Sequence, residues 1–541
     1  MLAPEGHFPV LIVGAGPSGL MMAAQLLRYG VQPLIIDRKK GPTDQSRALA
    51  VQARSMEIYR QMGLADRALQ EGIQAESVSI QNDEKELVKL SLKNLGKNST
   101  LFPFVHLLEQ SKNERLLLGF LTQKCCPVYW DTALEEVIQE ENQIKAHLKS
   151  TGKNSIVSAN WLIGADGAHS AVRQFLQIDF KGDAYANKFM LADVEFEQVF
   201  AEHQIVLKLG NASFTGIFPM KGNRFRVIAT LPSDLKNRQN IDFEEVEADF
   251  AKMLPQNLCI KNCNAFSVYK LHHRMAEKFR YKNSFLIGDA AHIHSPAGGQ
   301  GMNTGLQDAY NLAWKLAGVI NQNYQPQILE SYAEERMPVA RKLLRTTDRA
   351  FNFINSKNLV SRVLKQLILP PFLRFFRKQE NLREFGFETI SEIGISYRDS
   401  KLNLNFSQTK TVKAGDRLPY VKVFDEKKQQ ETDLHAWCFK PGFTFMALGK
   451  LGGHDLFALA RWISLNYPQL NFFYLPFSAR NKAVFDCFEM SENQRKAIIV
   501  RPDMYIGYLN DAVHVELIAD YLEKIAGFAG TTKKQGKRSI G

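Results

Sequence analysis

Three apolar runs, each halted by glycine, organise the first three hundred residues. Phe8 to Val13 is continuous, β-rich and stopped by Gly14, as expected of a buried strand. Leu20, Met21, Ala24 and Leu27 then recur at three- and four-residue steps ahead of Gly30, which predicts a helix from about Ser18 to Tyr29. Pro33-Leu34-Ile35-Ile36-Asp37 reads as a second buried strand ending in an acid, so the chain opens with a β-α-β unit. Trp161 to Gly167 and Phe285 to Asp289 repeat the strand-then-glycine pattern and are expected in the same parallel sheet.

Between them the pattern shifts to short β-branched and aromatic segments, Ile205 to Leu209, Phe214 to Phe218, Phe225 to Leu231 and Ala265 to Leu271, which predict an inserted, mostly antiparallel sheet. From Met302 to Ile320 the residues Leu306, Ala309, Leu312, Ala313, Leu316 and Ala317 line one helical face, and helical patterning runs to about Leu369, where Pro370-Pro371 is expected to break it. Near residue 410 a new alternation starts. Its strands are Phe443 to Leu448, Leu470 to Leu475 and Ala497 to Val500, its helices His454 to Asn466 and Val513 to Ile525, and it predicts a separate α/β domain. The expected division is 1–180 and 276–405 for the parallel-sheet domain and its helical extension, 181–275 for the inserted sheet, 406–528 for the last domain and 529–541 for a disordered tail.

Composition narrows the class. A chain of 541 residues, 45% hydrophobic and 23% charged, reads as a multidomain globular protein. No apolar run approaches the roughly 18 residues of a membrane span, and the N-terminus lacks a signal-peptide pattern, so a cytoplasmic location is the expectation. The six cysteines form no C-x-x-C pair, which excludes a disulfide scaffold and a zinc ribbon. Lys and Arg exceed Asp and Glu by 12, concentrated at Arg374 to Lys378 and Lys533 to Arg538. Without a nucleic-acid module these are read as solvated charge, and no nucleic acid is expected. The mixed apolar and basic stretch Leu359 to Arg377 is read as helix packing within the protein, with a membrane-surface role as the alternative.

The chemistry begins at Gly14-Ala15-Gly16-Pro17-Ser18-Gly19. It follows a strand and opens a helix: the first glycine permits the turn, the second lets backbone approach a pyrophosphate, and the third allows close helix–strand packing. The helix N-terminus adds free N–H groups and partial positive charge. Asp37, with Arg38 beside it, ends the next strand, where an acid can accept hydrogen bonds from ribose hydroxyls. Dinucleotide binding is the reading.

Gly164-Ala165-Asp166-Gly167-Ala168-His169-Ser170-Ala171-Val172-Arg173, then Gly288-Asp289-Ala290-Ala291-His292 with Ser295-Pro296-Ala297-Gly298-Gly299-Gln300-Gly301-Met302-Asn303, resemble the second and third signatures of the group A flavoprotein aromatic hydroxylases. The resemblance continues to Leu316 and implies an α/β fold: a Rossmann-like FAD-binding domain with an inserted antiparallel substrate-binding sheet. Residues from about 410, ending in Val500-Arg501-Pro502-Asp503, resemble the thioredoxin-like domain appended to phenol and polyketide hydroxylases, here without a redox dithiol.

The resemblance also implies roles. Asp289 would accept a hydrogen bond from the ribityl chain, and the backbone from Gly298 through Gly299, Gly301 and Met302 to Asn303 would face the flavin pyrimidine edge, stabilising the reduced anion. Pro296 would lie on the flavin's reactive face. Asp166 and Gly167 would serve FAD and nicotinamide binding, and Arg47 and Gln110 would contact the flavin. Pro296 and Arg47 are the catalytic expectations. The implied cofactors are FAD with NADPH or NADH, and the implied reaction is hydroxylation of an aromatic substrate by O2 through a flavin C(4a)-hydroperoxide, in a monomer or a homodimer. Epoxidation, quinone-precursor hydroxylation and a non-catalytic flavin-fold binding protein are the alternatives. A halogenase is disfavoured because no Gly-Trp-x-Trp-x-Ile-Pro segment occurs.

One departure matters. Phenol hydroxylases carry an activating acid after the Arg47 region, but Ala48 to Arg54 contains no Asp or Glu. Candidate bases or positioning groups are therefore Tyr185, His203, Arg226, His272 and His273, of which the adjacent histidines should face opposite ways on a strand. His292 and His294 lack further ligands at suitable spacing, so no metal is assigned.

Overall fold

The computed structural model describes residues 4–44, 48–82, 85–141, 143–200, 202–210, 213–238, 240–255, 258–295, 297–355, 368–426 and 428–529. Arg47, Pro296 and all but the first residue of the expected tail lie outside them.

The glycine-terminated strands lie side by side. In the central sheet the order is Arg280–Tyr281, Ser284–Leu286, Lys153–Gly164, Gly6–Val13, Leu34–Ile36, Val128–Tyr129, parallel from Ser284–Leu286 onwards. The chain winds from Gly6–Val13 to one side and returns on the other, so a topological switch point falls between Gly6–Val13 and Lys153–Gly164, where open α/β sheets bind ligands. Val13 pairs with both Gly164 and Ile36, and Gly164 pairs with Leu286. Gly14, Ala165, Asp37 and Ile287 therefore leave the sheet at one level.

The Pro17–Arg28 and Gly301–Ile320 helices pack on this sheet and on each other. Their closeness needs glycine: a Cβ on Gly305 would stand 2.4 Å from Ser18 Oγ, and one on Gly288 2.3 Å from it. The first helix buries Leu20 to Ala24 and Leu26 fully, and the second buries Leu306, Ala309, Leu312, Ala313, Leu316 and Ala317, the face its periodicity predicts.

A second, eight-stranded sheet runs His292–Ile293, Ile260–Ala276, Phe180–Phe196, Arg224–Thr230, Phe214–Met220, Gln204–Leu209, Ser77–Gln81, Glu86–Ser91. It is antiparallel except where Gln204–Leu209 meets Ser77–Gln81. Its edge strands come from outside 181–275, because the Ser77–Ser91 hairpin reaches it by long-range pairing. One face is sealed by the Phe243–Met253 helix through Val246 and Phe250.

The last unit centres on a five-stranded mixed sheet ordered Leu404–Asn405, Ile506–Asn510, Arg495–Val500, Thr444–Gly449, Asn471–Leu475. The helical patterning expected to reach about Leu369 ahead of Pro370-Pro371 runs through residues 356–367, which lie outside the described residues. Both prolines occupy the first turn of the Leu369–Lys378 helix, where no intrahelical N–H is required and a fixed φ is an advantage.

Buried ion pairs fasten this unit to the first. Arg501 lies against Glu335 with contacts of 2.6 and 2.9 Å and against Asp503 with contacts of 3.1 and 2.6 Å. Glu335 also accepts from Lys315 and Asn311, and Asp503 from the Trp314 indole. Arg54 donates to the Asp503 carbonyl and to Glu57, which Arg417 also contacts at 3.0 Å.

Candidate active site

At the first loop each glycine answers a different demand. Gly14 has φ of 107°, and a Cβ there would lie 2.3 Å from the Ala165 carbonyl oxygen; one on Gly19 would lie 1.9 Å from that of Gly14. Gly16 differs: its φ is −77°, which any residue adopts, and a Cβ would meet nothing within 4 Å. The fold does not require glycine there, whereas a group lying close over the loop would. Behind it the Pro17–Arg28 helix has no side-chain N-cap, leaving its first N–H groups for an anion.

Asp37 is buried. One oxygen accepts the Ala15 N–H at 2.7 Å and the other the Lys39 N–H at 2.8 Å, so the carboxylate braces the glycine loop, while Arg38 is exposed beside it. Asp166 accepts the Ala171 and Val172 N–H groups at 2.7 and 3.2 Å and the Ser170 hydroxyl, capping the short Ala171–Phe175 helix. Burial raises its carboxyl above the usual range. The adjacent Gly167, φ 81°, faces open space. Arg173 joins the second motif to the third by donating to the Ala168 and Ala290 carbonyls at 2.8 and 2.9 Å.

In the third motif Asp289 is exposed between the buried Gly288 and Ala290. Its loop is held from beneath by Asp308, which accepts the Gly288 N–H at 3.1 Å, contacts His292 Nε2 at 2.7 Å and pairs with Arg336 at 2.7 Å. Burial alone would raise the Asp308 carboxyl, but Arg336 and His292 hold it below its ordinary value. Arg336 reaches on to the Tyr397 hydroxyl and the Thr304 carbonyl. Asp308 was missed by sequence reasoning; the signal was an acid at helical spacing from Thr304, Asn311 and Lys315 on a helix that is buried along most of its length.

The start of the Gly301–Ile320 helix is pinned by Asn303. Its Nδ2 donates to the Ala50 and Gly299 carbonyls at 2.9 and 2.8 Å, and its Oδ1 accepts the Gln52 N–H and the Ser55 hydroxyl, each at 2.8 Å. Its side chain thus ties the Ala48–Gln52 segment to the helix, and its backbone remains available to a ligand. Gln110 holds the same segment: its Oε1 accepts the Ala48 N–H at 3.3 Å and its N–H donates to the Ala48 carbonyl at 3.0 Å. The Met302 sulfur accepts from Asn113 at 3.4 Å. Gly298 and Gly299 both take positive φ, and a Cβ on Gly299 would meet that of Ala50 at 2.9 Å. Two further groups stand at this helix start. His294 Nδ1 is 2.9 Å from the Ser295 carbonyl oxygen, and burial drops the ring to about 4. Glu392 accepts from Thr304 at 2.9 Å and from Gln307, and burial pushes its carboxyl up to about 8.

The candidate bases separate. Tyr185 donates to Asp348 at 2.8 Å and its ring lies 4.9 Å from that of His273; burial and Asp348 raise its hydroxyl above the ordinary value. Arg226, fully buried, forms a bidentate pair with Asp193, both contacts 2.7 Å, and reaches the Ala48 carbonyl at 3.4 Å. His272 is lowered by burial and by the cations Arg274 and Lys270. His203 contacts the Gln74 carbonyl at 3.0 Å near the outer strands and is apart from this cluster.

The geometry suits FAD: an open glycine cradle and a second helix start, with Asp289 between them, all at the carboxyl ends of the parallel strands. The FAD binding domain family matches residues 7–347. The 6-methylpretetramide 4-monooxygenase of Streptomyces rimosus is 34% identical over 409 residues, spanning 74% of this chain and 72% of that protein. The pentachlorophenol 4-monooxygenase of Sphingobium chlorophenolicum is 33% identical over 420 residues, spanning 76% and 75%. The solved aklavinone-11 hydroxylase, a complex with FAD and aklavinone, superposes with a TM-score of 0.80 at 21% identity and covers 96% of this chain and 99% of that one. With glycine loop, helix start and relatives in agreement, the chain belongs to the FAD-dependent, NAD(P)H-using monooxygenases of the flavoprotein aromatic hydroxylase family.

Proposed function

We propose that the chain hydroxylates a phenolic, polycyclic substrate bound between the start of the Gly301–Ile320 helix and the face of the eight-stranded sheet turned away from the Phe243–Met253 helix. The observation that carries this is the contrast between that sheet's two faces. One is sealed core. Cross-strand register places Leu207, Leu209, Phe214, Phe218, Ile228 and Tyr269 together on the other, all of them only half-buried. Gly216 lies among them, and its missing Cβ leaves room for the Phe218 and Phe214 rings at 2.7 and 3.3 Å, so the surface is a flat aromatic floor suited to a fused-ring ligand. Relatives named for 6-methylpretetramide and pentachlorophenol support the class.

FAD, when bound and reduced by NAD(P)H, supplies the oxygen-transfer chemistry with O2. The roles of Gly14 to Gly19, Asp37, Arg38, Arg47, Gln110, Asp166, Gly167, Asp289, Pro296, Gly299, Gly301, Met302 and Asn303 in holding it are part of this proposal. The Arg226–Asp193 pair and Asn303 fix the Ala48–Gln52 segment between flavin and sheet. Tyr185 accepts the substrate's phenolic proton at Oη while passing its own to Asp348, raising electron density on the ring. The last unit we infer to be thioredoxin-like but structural: its Cys438 and Cys487 are unpaired, and burial pushes their thiols up to about 12 and about 11.

The test pairs NADPH oxidation with product mass. Fused-ring phenols should accelerate oxidation and gain one oxygen from isotopically labelled O2. Tyr185→Phe and Asp348→Asn should slow product formation by roughly 10²–10⁴-fold while leaving flavin content and its anaerobic reduction by NADPH intact. Rates equal to the parent's in both variants would remove Tyr185 from the mechanism, and a flavoprotein that accepts no phenol would remove the substrate class.

A further inference from the structure

The Leu369–Lys378 helix exposes an unusual surface. Ile368, Phe372 and Phe375 are 54, 53 and 54% exposed, and their i, i+4, i+7 spacing puts them on one face. Leu369, Leu373 and Phe376 on the neighbouring face are half-buried, where the helix packs on the Glu86–Ser91 strand. The protein therefore holds the helix by one side and turns aromatic rings outward on another. Lys378, at i+3 from Phe375, borders those rings, Arg374 and Arg377 are exposed on the same short helix, and no acid occurs from Ile368 to Gln379. The following Glu380–Ile390 helix carries Glu380, Glu384 and Glu388 but adds exposed Leu382 and Phe385, 39 and 70% accessible.

We propose that this surface docks the enzyme on an anionic lipid bilayer. Outward aromatics beside a cluster of cations are what an interfacial helix presents, the rings entering the acyl boundary and the cations meeting lipid phosphates. The net charge of +12 attracts the same surface from a distance. A second copy of this chain is the poorer occupant, because a two-fold contact would set Arg374, Arg377 and Lys378 against their own equivalents. Position gives the docking a use. The Glu380–Ile390 helix ends at the flavin-site helix, where Gln300 Nε2 donates to the Thr389 carbonyl at 2.9 Å, so a bilayer-borne aromatic substrate would be released next to the site. That use rests on the proposed substrate class, whereas the docking does not.

Co-sedimentation of the flavin-loaded protein with phosphatidylcholine vesicles, with and without a third of phosphatidylglycerol, tests this. Binding is expected to the anionic vesicles, to weaken with salt, and to fall at least about tenfold in Phe372→Ser/Phe375→Ser and in Arg374→Gln/Arg377→Gln/Lys378→Gln. Flavin content and NADPH oxidation in solution should be unchanged in both variants, separating lost docking from lost folding. Absence of vesicle binding, or equal binding by the folded variants, overturns the proposal. So does light scattering that finds a dimer which the phenylalanine variant splits, since the surface would then join two copies.

Discussion

Gly16→Ala separates what the fold needs from what the cofactor needs. In the protein alone the substitution is benign: φ at −77° suits alanine, and the new methyl meets no atom within 4 Å. Apoprotein stability should change by less than about 1 kcal/mol, with a slight gain if the reduced freedom of the unfolded chain dominates. With FAD the same methyl occupies the space through which a pyrophosphate reaches backbone N–H groups at about 2.9 Å. Losing those contacts should weaken FAD by roughly a hundredfold, equal to about 2.7 kcal/mol. Gly14→Ala and Gly19→Ala should behave oppositely, since their methyls would stand 2.3 and 1.9 Å from backbone oxygens. Each should cost the apoprotein roughly 1–3 kcal/mol or more. Urea unfolding of apoprotein and fluorescence titration with FAD measure the two quantities independently. If Gly16→Ala apoprotein binds FAD as tightly as the parent, the cradle argument is wrong; if it unfolds as readily as Gly19→Ala, the open space beside Gly16 is illusory.

Asp308→Asn, which leaves Arg336 without its buried partner, should destabilise the protein by about 3–5 kcal/mol and release flavin at lower urea than the parent, read by flavin fluorescence. Arg501→Met should cost a similar amount, about 3–5 kcal/mol, and Arg501→Lys should rescue little of it because one ammonium cannot reproduce the two-sided contact with Glu335 and Asp503; thermal unfolding checks both. Glu392 gives a pH signature. Its folded value of about 8 lies above the ordinary 4.5, so between these pH values the native state keeps a proton that the unfolded chain has lost. Stability is therefore greatest below about pH 4.5 as far as this group is concerned, falls by at most about 1.4 kcal/mol per unit as pH rises, and levels off above about pH 8. Glu392→Gln should flatten that slope, measured as urea midpoints from pH 5 to 8.

Local pattern carried the glycine loops, the two long helices beneath them and most strands, because each is decided by neighbours in sequence. What escaped depends on partners far along the chain. The Ser77–Gln81 strand is unremarkable until Gln204–Lys208 pairs with it, and Phe180–Phe196 hides behind the charged Lys181, Asp183 and Lys188 near its start. At Pro370-Pro371 the sequence marks a boundary only: proline stops a helix from within but suits its first turn, and the Leu369–Lys378 helix starts there.

The same distinction holds at the site. Asp37, Asp166, Gln110 and Asn303 were picked out by the family motifs as cofactor residues, yet every one of these side chains hydrogen-bonds within the protein. They bind loops to loops, and in the proposed FAD site the groups left to meet the cofactor are glycine Cα atoms, backbone N–H groups and the exposed Asp289 and Arg38. Such a site is organised before any ligand arrives, because the charged and amide side chains are fixed by protein partners. Mutating these residues should therefore be read first as moving backbone. Asn303→Ala, for instance, would free both the Ala48–Gln52 segment and the helix start, so flavin affinity and substrate positioning should decline together; a variant that lost flavin affinity while still coupling NADPH oxidation fully to product would show that Asn303 acts on the cofactor alone.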